Sequence, residues 1–194
     1  MLKRALFIDN YDSFSDIIVY YLNEHFVVDI IKNNTDKSID IITEYDSLIL
    51  SPGPGDINDI GRIPEFFKKA YGNIPVLGIC LGFQYICTLY GGRLKVHKKP
   101  QHGVLKRISV CNSQLIGKDI SFDTVFYNSL YIDPYKIDSA FIKGKQDDND
   151  YPVVFEDIRN MVYGAQFHPE ALKSEYRDLF FKNFLNISSK KRGL

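Results

Sequence analysis

Hydrophobic positions follow two different spacings along the first half of the chain. Short runs of consecutive apolar residues, typical of buried strands, are separated by segments whose apolar residues recur every three or four positions, as on one helical face. Because strand and helix alternate, the pattern predicts a parallel sheet with helices on both faces. The predicted strands cover residues 4–9, 26–33, 46–50 and 75–79, and the predicted helices cover residues 13–25, 62–71 and 81–92.

The pattern changes in the second half of the chain. Between residues 93 and 166, short β-like pieces lie between turn residues, which predicts antiparallel strands added to one edge of the sheet. A last amphipathic helix is predicted over residues 174–187, and residues 187–194 are expected to form a loose tail. The predicted fold class is therefore α/β, a single domain over residues 1–194 with an open, mostly parallel sheet and an added antiparallel region.

Composition excludes several classes of protein. The chain has 194 residues, of which 45% are hydrophobic, and its 24 basic and 24 acidic side chains cancel, so no net charge favours binding to nucleic acid. No segment approaches the ~20 apolar residues that span a bilayer, and the beginning of the chain is unlike a signal peptide. The three cysteines have no CxxC spacing, which argues against a disulfide framework and against zinc. We therefore expect a cytoplasmic protein with reduced thiols.

Three unusual segments follow predicted strands. The turn NYDS comes after the strand at residues 4–9, the loop SPGPG (51–55) after the strand at 46–50, and Cys80 after the strand at 75–79. Because the carboxyl ends of parallel strands meet at one edge of a sheet, these segments are expected to lie close together. Pro-Gly pairs occur in many turns and are a weak signal alone. At this edge of the sheet, however, the loop is suited to present backbone N–H groups to an oxygen atom.

Cys80 has the sequence context of a nucleophile. Gly78 and Gly82 flank it in the pattern G-x-C-x-G, the thiol counterpart of the elbow that exposes a serine between a strand and a helix. The start of the following helix stabilises a thiolate, and this can lower the pKa of a cysteine below about 8.5. The amide of Leu81 is then placed to donate to an oxyanion. The alternative is that Cys80 is a small buried core residue, but such a residue needs no glycine on either side.

A thiol nucleophile needs a base. Of the four histidines in the chain, His168 stands in QFHPE, just past a predicted strand and at a turn fixed by Pro169. Glu170, two residues further on, is suited to orient its imidazole, which is the third role in a catalytic triad. The sequence therefore predicts Cys80, His168 and Glu170 as the catalytic residues.

Five segments spread over nearly the whole chain resemble the class I (triad) glutamine amidotransferases. Within that class, NYDSF and SPGPG are similar to the glutaminase subunits of anthranilate synthase and aminodeoxychorismate synthase. The segments are FIDNYDSF (7–14), LILSPGPGDI (48–57), PVLGICLGFQ (75–84), FYNSL (126–130) and GAQFHPEAL (164–172).

The resemblance implies a reaction and a partner. It implies that Cys80 attacks the side-chain carbonyl of L-glutamine, that His168 transfers protons and that Glu170 holds His168. The ammonia would pass to a chorismate-binding synthase subunit that carries Mg²⁺ and makes anthranilate or 4-amino-4-deoxychorismate, for tryptophan or folate biosynthesis. This chain would need no metal or cofactor. The residues implied in oxyanion or substrate binding are Gly53, Pro54, Gly55, Leu81, Gln84, Ser129 and Leu130.

The chain departs from the family pattern near the implied site. Phe83 and Asn128 stand where the family usually has histidine, and QHGVL (101–105) replaces a segment that faces the synthase in relatives. No departure removes a member of the triad. Two alternatives remain open at this point: a stand-alone cysteine hydrolase of peptidase or γ-glutamyl hydrolase type, and an inactive homologue that binds a partner.

Overall fold

The computed structural model describes residues 3–189 and places every strand of this part of the chain in one sheet. The strands are β1 Lys3–Asp9, β2 Phe26–Lys32, β3 Ser47–Leu50, β4 Val76–Ile79, β5 Arg93–Val110, β6 Ile120–Asp133, β7 Ile142–Gln146, β8 Pro152–Asp157 and β9 Val162–Ala165. The helices are α1 Ser15–Leu22, α2 Ile63–Ala70, α3 Leu81–Leu89 and α4 Arg177–Ser189, with short 3₁₀ segments at Ile39–Glu44 and Ser139–Phe141.

The sheet has a parallel half and an antiparallel half. Its order is β2-β1-β3-β4-β9-β8-β7-β5-β6, and the pairs between β2 and β9 are all parallel. From β9 to β6 the pairs are antiparallel. The predicted α/β class, with a parallel sheet and an added antiparallel region, is therefore confirmed.

One strand of the second half differs from the prediction. The sequence pattern groups residues 161–166 with the antiparallel additions, but β9 pairs in parallel with β4 and is antiparallel only to β8. All four residues of β9 are buried, as is usual for a strand in a parallel sheet that is covered on both faces. The end of β9 at Ala165 consequently lies beside Ile79, the last residue of β4.

Strands β5 and β6 form a long hairpin that extends the antiparallel half. The sequence pieces at residues 93–97 and 104–110 belong to the single strand β5. Its pairing with β6 shifts register between Val96 and Gln101, so residues 97–100 form an irregular segment. The hairpin carries the segment 126–130 to the edge of the sheet where the parallel strands end.

Helices cover both faces of the sheet and enclose two apolar clusters. Phe180 of α4 and Ile18 of α1 belong to one cluster, while Phe66 of α2 and Ile86 of α3 belong to the other. Helix α4 continues to Ser189, three residues into the segment assigned to the loose tail, and the remaining residues 190–194 lie outside the described part. No helix within residues 3–189 has the length and apolar character needed to cross a membrane.

The turn from β4 into α3 depends on close backbone contact. A Cβ atom at Gly78 would lie 2.5 Å from the carbonyl oxygen of Gly82, and a Cβ atom at Gly82 would lie 2.5 Å from the carbonyl oxygen of Leu50 in β3. Both distances are shorter than any real contact of a methyl carbon with an oxygen. The two glycines therefore let the start of α3 lie directly against the sheet, which explains why both flank Cys80.

We expect Gly82→Ala to lower the free energy of unfolding by about 3 kcal/mol or more, because the new methyl group collides with backbone that cannot move aside alone. Gly72→Ala is the control: its methyl group has open space, with the nearest atom at 4.0 Å, and only the left-handed backbone (φ +65°) opposes it. An alanine in this left-handed conformation should lower the free energy of unfolding by about 1–2 kcal/mol. Equilibrium unfolding in urea measures both, and equal losses would contradict the close contact.

Candidate active site

Cys80 adopts a strained backbone conformation between β4 and α3. Its φ and ψ angles are 52° and −100°, a region that residues with a Cβ atom rarely occupy. Its N–H donates to the carbonyl of Ala165 at 2.8 Å, and its own carbonyl accepts from the N–H of Gln84 at 2.9 Å. The first bond ties Cys80 to β9 and the second begins helix α3. The predicted elbow is therefore present.

His168 is held three residues beyond the end of β9. Its N–H donates to the carbonyl of Val125 at 2.9 Å, and its carbonyl accepts from the hydroxyl of Ser174 at 2.6 Å. The rings of Phe14 and Tyr127 each meet the imidazole edge-on, with centroids 5.2 Å away. The side chain of His168 is 2% exposed, so neighbouring residues enclose the imidazole on several sides.

Glu170, the residue predicted to orient the imidazole, lies within hydrogen-bond distance of His168. The N–H at Nδ1 of His168 donates to Oε1 of Glu170 at 2.6 Å, and both side chains are buried. Within the described residues, Nε2 of His168 has no hydrogen-bond partner. The bond at Nδ1 leaves Nε2 as the nitrogen that can exchange a proton with a reacting group.

The pKa of His168 lies well above its ordinary value of 6.5. Burial is the largest single effect and lowers this pKa, but interaction with the sulfur of Cys80 and with the carboxylate of Glu170 raises it by more in total. An opposite charge close by favours the protonated imidazole. The surroundings of His168 therefore favour the protonated imidazole.

Gln166 is a functional candidate that the sequence reasoning missed. Its Nε2 donates to the sulfur of Cys80 at 3.6 Å, and its Oε1 accepts from Nε2 of Gln84 at 3.1 Å. A donor at this position stabilises a sulfur anion. Gln166 and His168 are two residues apart, so an alternating strand-like pattern across the end of β9 was the signal that could have identified it.

A cleft of about 150 Å³ opens in front of Cys80. Drug-sized ligands occupy pockets of roughly 300–1,000 Å³, so this cleft suits a smaller molecule. It brings together most of the residues that the sequence assigns to substrate binding, and adds Tyr127 and Asn128. Its lining consists of Gly53, Pro54, Gly55, Cys80, Gln84, Tyr127, Asn128, Ser129 and Leu130.

The loop 51–55 is held against the cleft by the turn that follows β1. Asn10, in this turn, makes two bonds to the loop: its N–H donates to Oγ of Ser51 at 2.8 Å, and its Nδ2 donates to the Ser51 carbonyl at 3.0 Å. A Cβ atom at Gly53 would lie 2.5 Å from Cβ of Asn10 and 2.8 Å from Cδ2 of Leu81. Leu81 is buried and its side chain lies beneath the loop, outside the cleft lining.

Asp12 adds a second acidic group near His168. It accepts a hydrogen bond from the N–H of Phe14 at 2.8 Å. Burial, and to a lesser degree the charge of Glu170, raises the pKa of Asp12, although the bond from Phe14 and the charge of His168 oppose this. Asp12 lies in the segment FIDNYDSF (7–14), for which the family resemblance implies no role of Asp12.

Outside this cleft, the described residues include a larger cavity and a second buried cysteine. A larger cavity, of about 560 Å³, lies beside Cys111 and Lys145, but it contains none of the three predicted catalytic residues. Cys87 is buried in α3, and burial raises the pKa of its thiol. Among residues 3–189, no three His, Cys, Asp or Glu side chains are arranged to hold a metal ion.

Comparison with known proteins places these features in a family. A sequence model described as glutamine amidotransferase class-I matches residues 6–187. Anthranilate synthase component 2 of Lactococcus lactis is 33% identical over 185 residues, covering 93% of each chain. Aminodeoxychorismate/anthranilate synthase component 2 of Bacillus subtilis is 31% identical over 188 residues, covering 95% of this chain and 97% of that protein.

The fold also matches a solved structure. A crystal structure from Thermoplasma acidophilum, described as that of a GMP synthase subunit, gives a TM-score of 0.85 and covers 97% of this chain and 95% of that chain. The two sequences are 22% identical, so this likeness supports the fold alone.

We expect Glu170→Gln to slow alkylation of Cys80 by iodoacetamide at neutral pH. The substitution removes one of the charges that raise the pKa of His168, so fewer molecules carry the imidazolium–thiolate pair. The rate should fall by up to about tenfold for each unit by which this pKa decreases, with the full factor reached once the neutral imidazole predominates. Mass spectrometry can follow Cys80 with the exposed Cys111 as internal reference.

Glu175→Gln is the matched control for this experiment. Glu175 is exposed, and its carboxylate accepts a bond from the N–H of Asp123 at 2.9 Å instead of contacting the imidazole of His168. Its variant should alkylate at the rate of the unmodified protein. If Glu170→Gln also kept that rate, Glu170 would have no influence on the charge of His168.

Proposed function

Because this chain belongs to the class I glutamine amidotransferase family, we propose that it is the glutaminase subunit of a chorismate-using synthase. It hydrolyses L-glutamine to glutamate and supplies ammonia to a partner subunit that makes anthranilate or 4-amino-4-deoxychorismate. The observation that carries this proposal is the strained Cys80 elbow, which faces a small cleft and adjoins the buried His168–Glu170 pair.

In the first half of the proposed reaction, the Cys80 thiolate attacks the side-chain amide carbon of glutamine. A C–S bond forms, and the carbonyl π electrons move to the oxygen. The backbone N–H groups of Leu81 and Gly53 donate to this oxyanion. The imidazolium of His168 gives its Nε2 proton to the amide nitrogen, the C–N bond breaks and ammonia leaves.

In the second half, water replaces ammonia. Neutral His168 takes a proton from the water molecule, whose oxygen attacks the glutamyl thioester, and the C–S bond breaks to give glutamate and the thiolate. Glu170 keeps the imidazole in one orientation through both halves. Gln84, with the backbone of Ser129 and Leu130, holds the amino acid end of the substrate, and Pro54 and Gly55 complete the wall.

The ammonia released in the proposed reaction explains why a partner is needed. Hydrolysis alone releases ammonia without using it, whereas relatives of this chain are named component 2 of anthranilate or aminodeoxychorismate synthase. The partner binds chorismate and carries Mg²⁺, while the steps assigned to this chain use only amino acid side chains. Nucleic acid and membrane have no part in the scheme. The reduced thiol that the reaction requires suits a cytoplasmic location.

We expect Cys80→Ala to abolish glutamine-dependent synthesis of the aromatic product by the complex, because no nucleophile remains. Synthesis by the same complex from ammonium salts should continue at the unmodified rate, because the partner's chemistry does not require Cys80. Fluorescence of anthranilate, or a coupled assay for 4-aminobenzoate, measures both rates.

Cys111→Ala is the matched control, since Cys111 is exposed and lies outside the cleft lining. It should keep both glutamine-dependent and ammonia-dependent synthesis. Retention of glutamine-dependent synthesis by Cys80→Ala would refute the proposed function. Release of glutamate without any stimulation by a chorismate-binding partner would instead support a stand-alone hydrolase.

A further inference from the structure

A continuous series of hydrogen bonds runs from Cys80 to a histidine on the β5–β6 hairpin. Beyond Gln166, Nε2 of Gln84 donates to the carbonyl of Leu130 at 3.3 Å. The same carbonyl accepts from Nδ2 of Asn128 at 2.7 Å, and Nδ2 of Asn128 lies 3.1 Å from Nε2 of His97. His97 belongs to the irregular segment 97–100 and is outside the cleft lining.

The chemistry of the groups fixes the direction of the two bonds made by Asn128. If the amide of Asn128 were turned over, its oxygen would lie against the carbonyl oxygen of Leu130, and neither could donate. The nitrogen must therefore face Leu130, and its second hydrogen points to His97. An amide nitrogen only donates, so Nε2 of His97 accepts and its ring proton resides on Nδ1.

We propose that His97 is a positioning residue for glutamine binding, acting as a neutral hydrogen-bond acceptor that fixes the side chain of Asn128 and, through it, the carbonyl of Leu130. This inference rests on the proposed function, because Leu130 belongs to the wall assigned to the substrate. Without the acceptor, the Asn128 amide can rotate, and its oxygen, which has no partner among the described residues, gains competing orientations.

The surroundings of His97 agree with a neutral ring. Burial lowers the pKa of His97 from its ordinary value, with Lys106 acting in the same direction and Asp148 opposing it. Two aromatic rings pack against it, Tyr131 with a centroid distance of 4.8 Å and Tyr151 with 5.4 Å. These contacts hold the ring in place while its Nε2 faces Asn128.

The binding of L-glutamine to the Cys80→Ala protein, which cannot turn over, tests the proposal. His97→Phe keeps a ring packed against the two tyrosines but has no acceptor, so Kd for glutamine in this background should rise about tenfold. His97→Gln offers an amide oxygen in place of Nε2 and should restore Kd to within about threefold. His25→Phe, on the connection after α1, should leave Kd unchanged. Titration calorimetry gives each value.

A pH series adds a measurement that a purely structural role would not change. Below the pKa of His97 both ring nitrogens carry hydrogen, so Nε2 can no longer accept and Kd should rise. His168 is present in both proteins, so the difference between them isolates His97: Kd should rise towards low pH more steeply with His97 intact than in His97→Gln. The comparison also decides the matter if His97→Phe does not fold.

The outcomes separate this proposal from the proposed function. If Cys80→Ala with His97 intact does not bind glutamine, the proposed function fails and the positioning role fails with it. If that protein binds glutamine, but His97→Phe binds equally well or His97→Gln is impaired as much as His97→Phe, only the positioning role is overturned. An identical pH dependence of Kd with His97 intact and in His97→Gln would also overturn it.

Discussion

The backbone of Cys80 is the constraint on which the rest of the site depends. A residue with a Cβ atom at φ 52° and ψ −100° carries a strain of about 1–3 kcal/mol, which surrounding structure must offset. Here the bonds to Ala165 and Gln84 and the close contact of Gly78 with Gly82 hold the turn. This turn places Cys80 in the lining of the cleft.

The pairing of β4 with β9 supplies the second half of the site. Ile79 and Ala165 are partners in a parallel ladder, so the chain segments that leave these strands carry Cys80 and His168 to the same edge. Burying two opposite charges is costly unless each has a close partner. The Glu170 carboxylate lies 2.6 Å from Nδ1 of His168, and the Gln166 amide lies 3.6 Å from the sulfur of Cys80, so each of the two buried side chains has a polar partner.

The sequence predicted the features that depend on a local pattern of residue types. Apolar spacing predicted the parallel strands and the helices, and the flanking glycines predicted the Cys80 elbow. The parallel pairing of β9 was missed because apolar periodicity does not say which strand lies alongside. Gln166 and the contact of His97 with Asn128 were missed because they join side chains from strands remote in sequence, and no local pattern encodes such a bond.

The pKa of His168 tests the central claim most directly, because the account requires a charged imidazole next to the sulfur. Nitrogen-15 NMR of labelled imidazole, followed across pH in the unmodified protein and in Cys80→Ala, measures it. The account predicts a pKa above the ordinary 6.5 in the unmodified protein and a lower pKa in Cys80→Ala, since the sulfur is one cause of the increase. A pKa at or below the ordinary value, or the same pKa in both proteins, would contradict it.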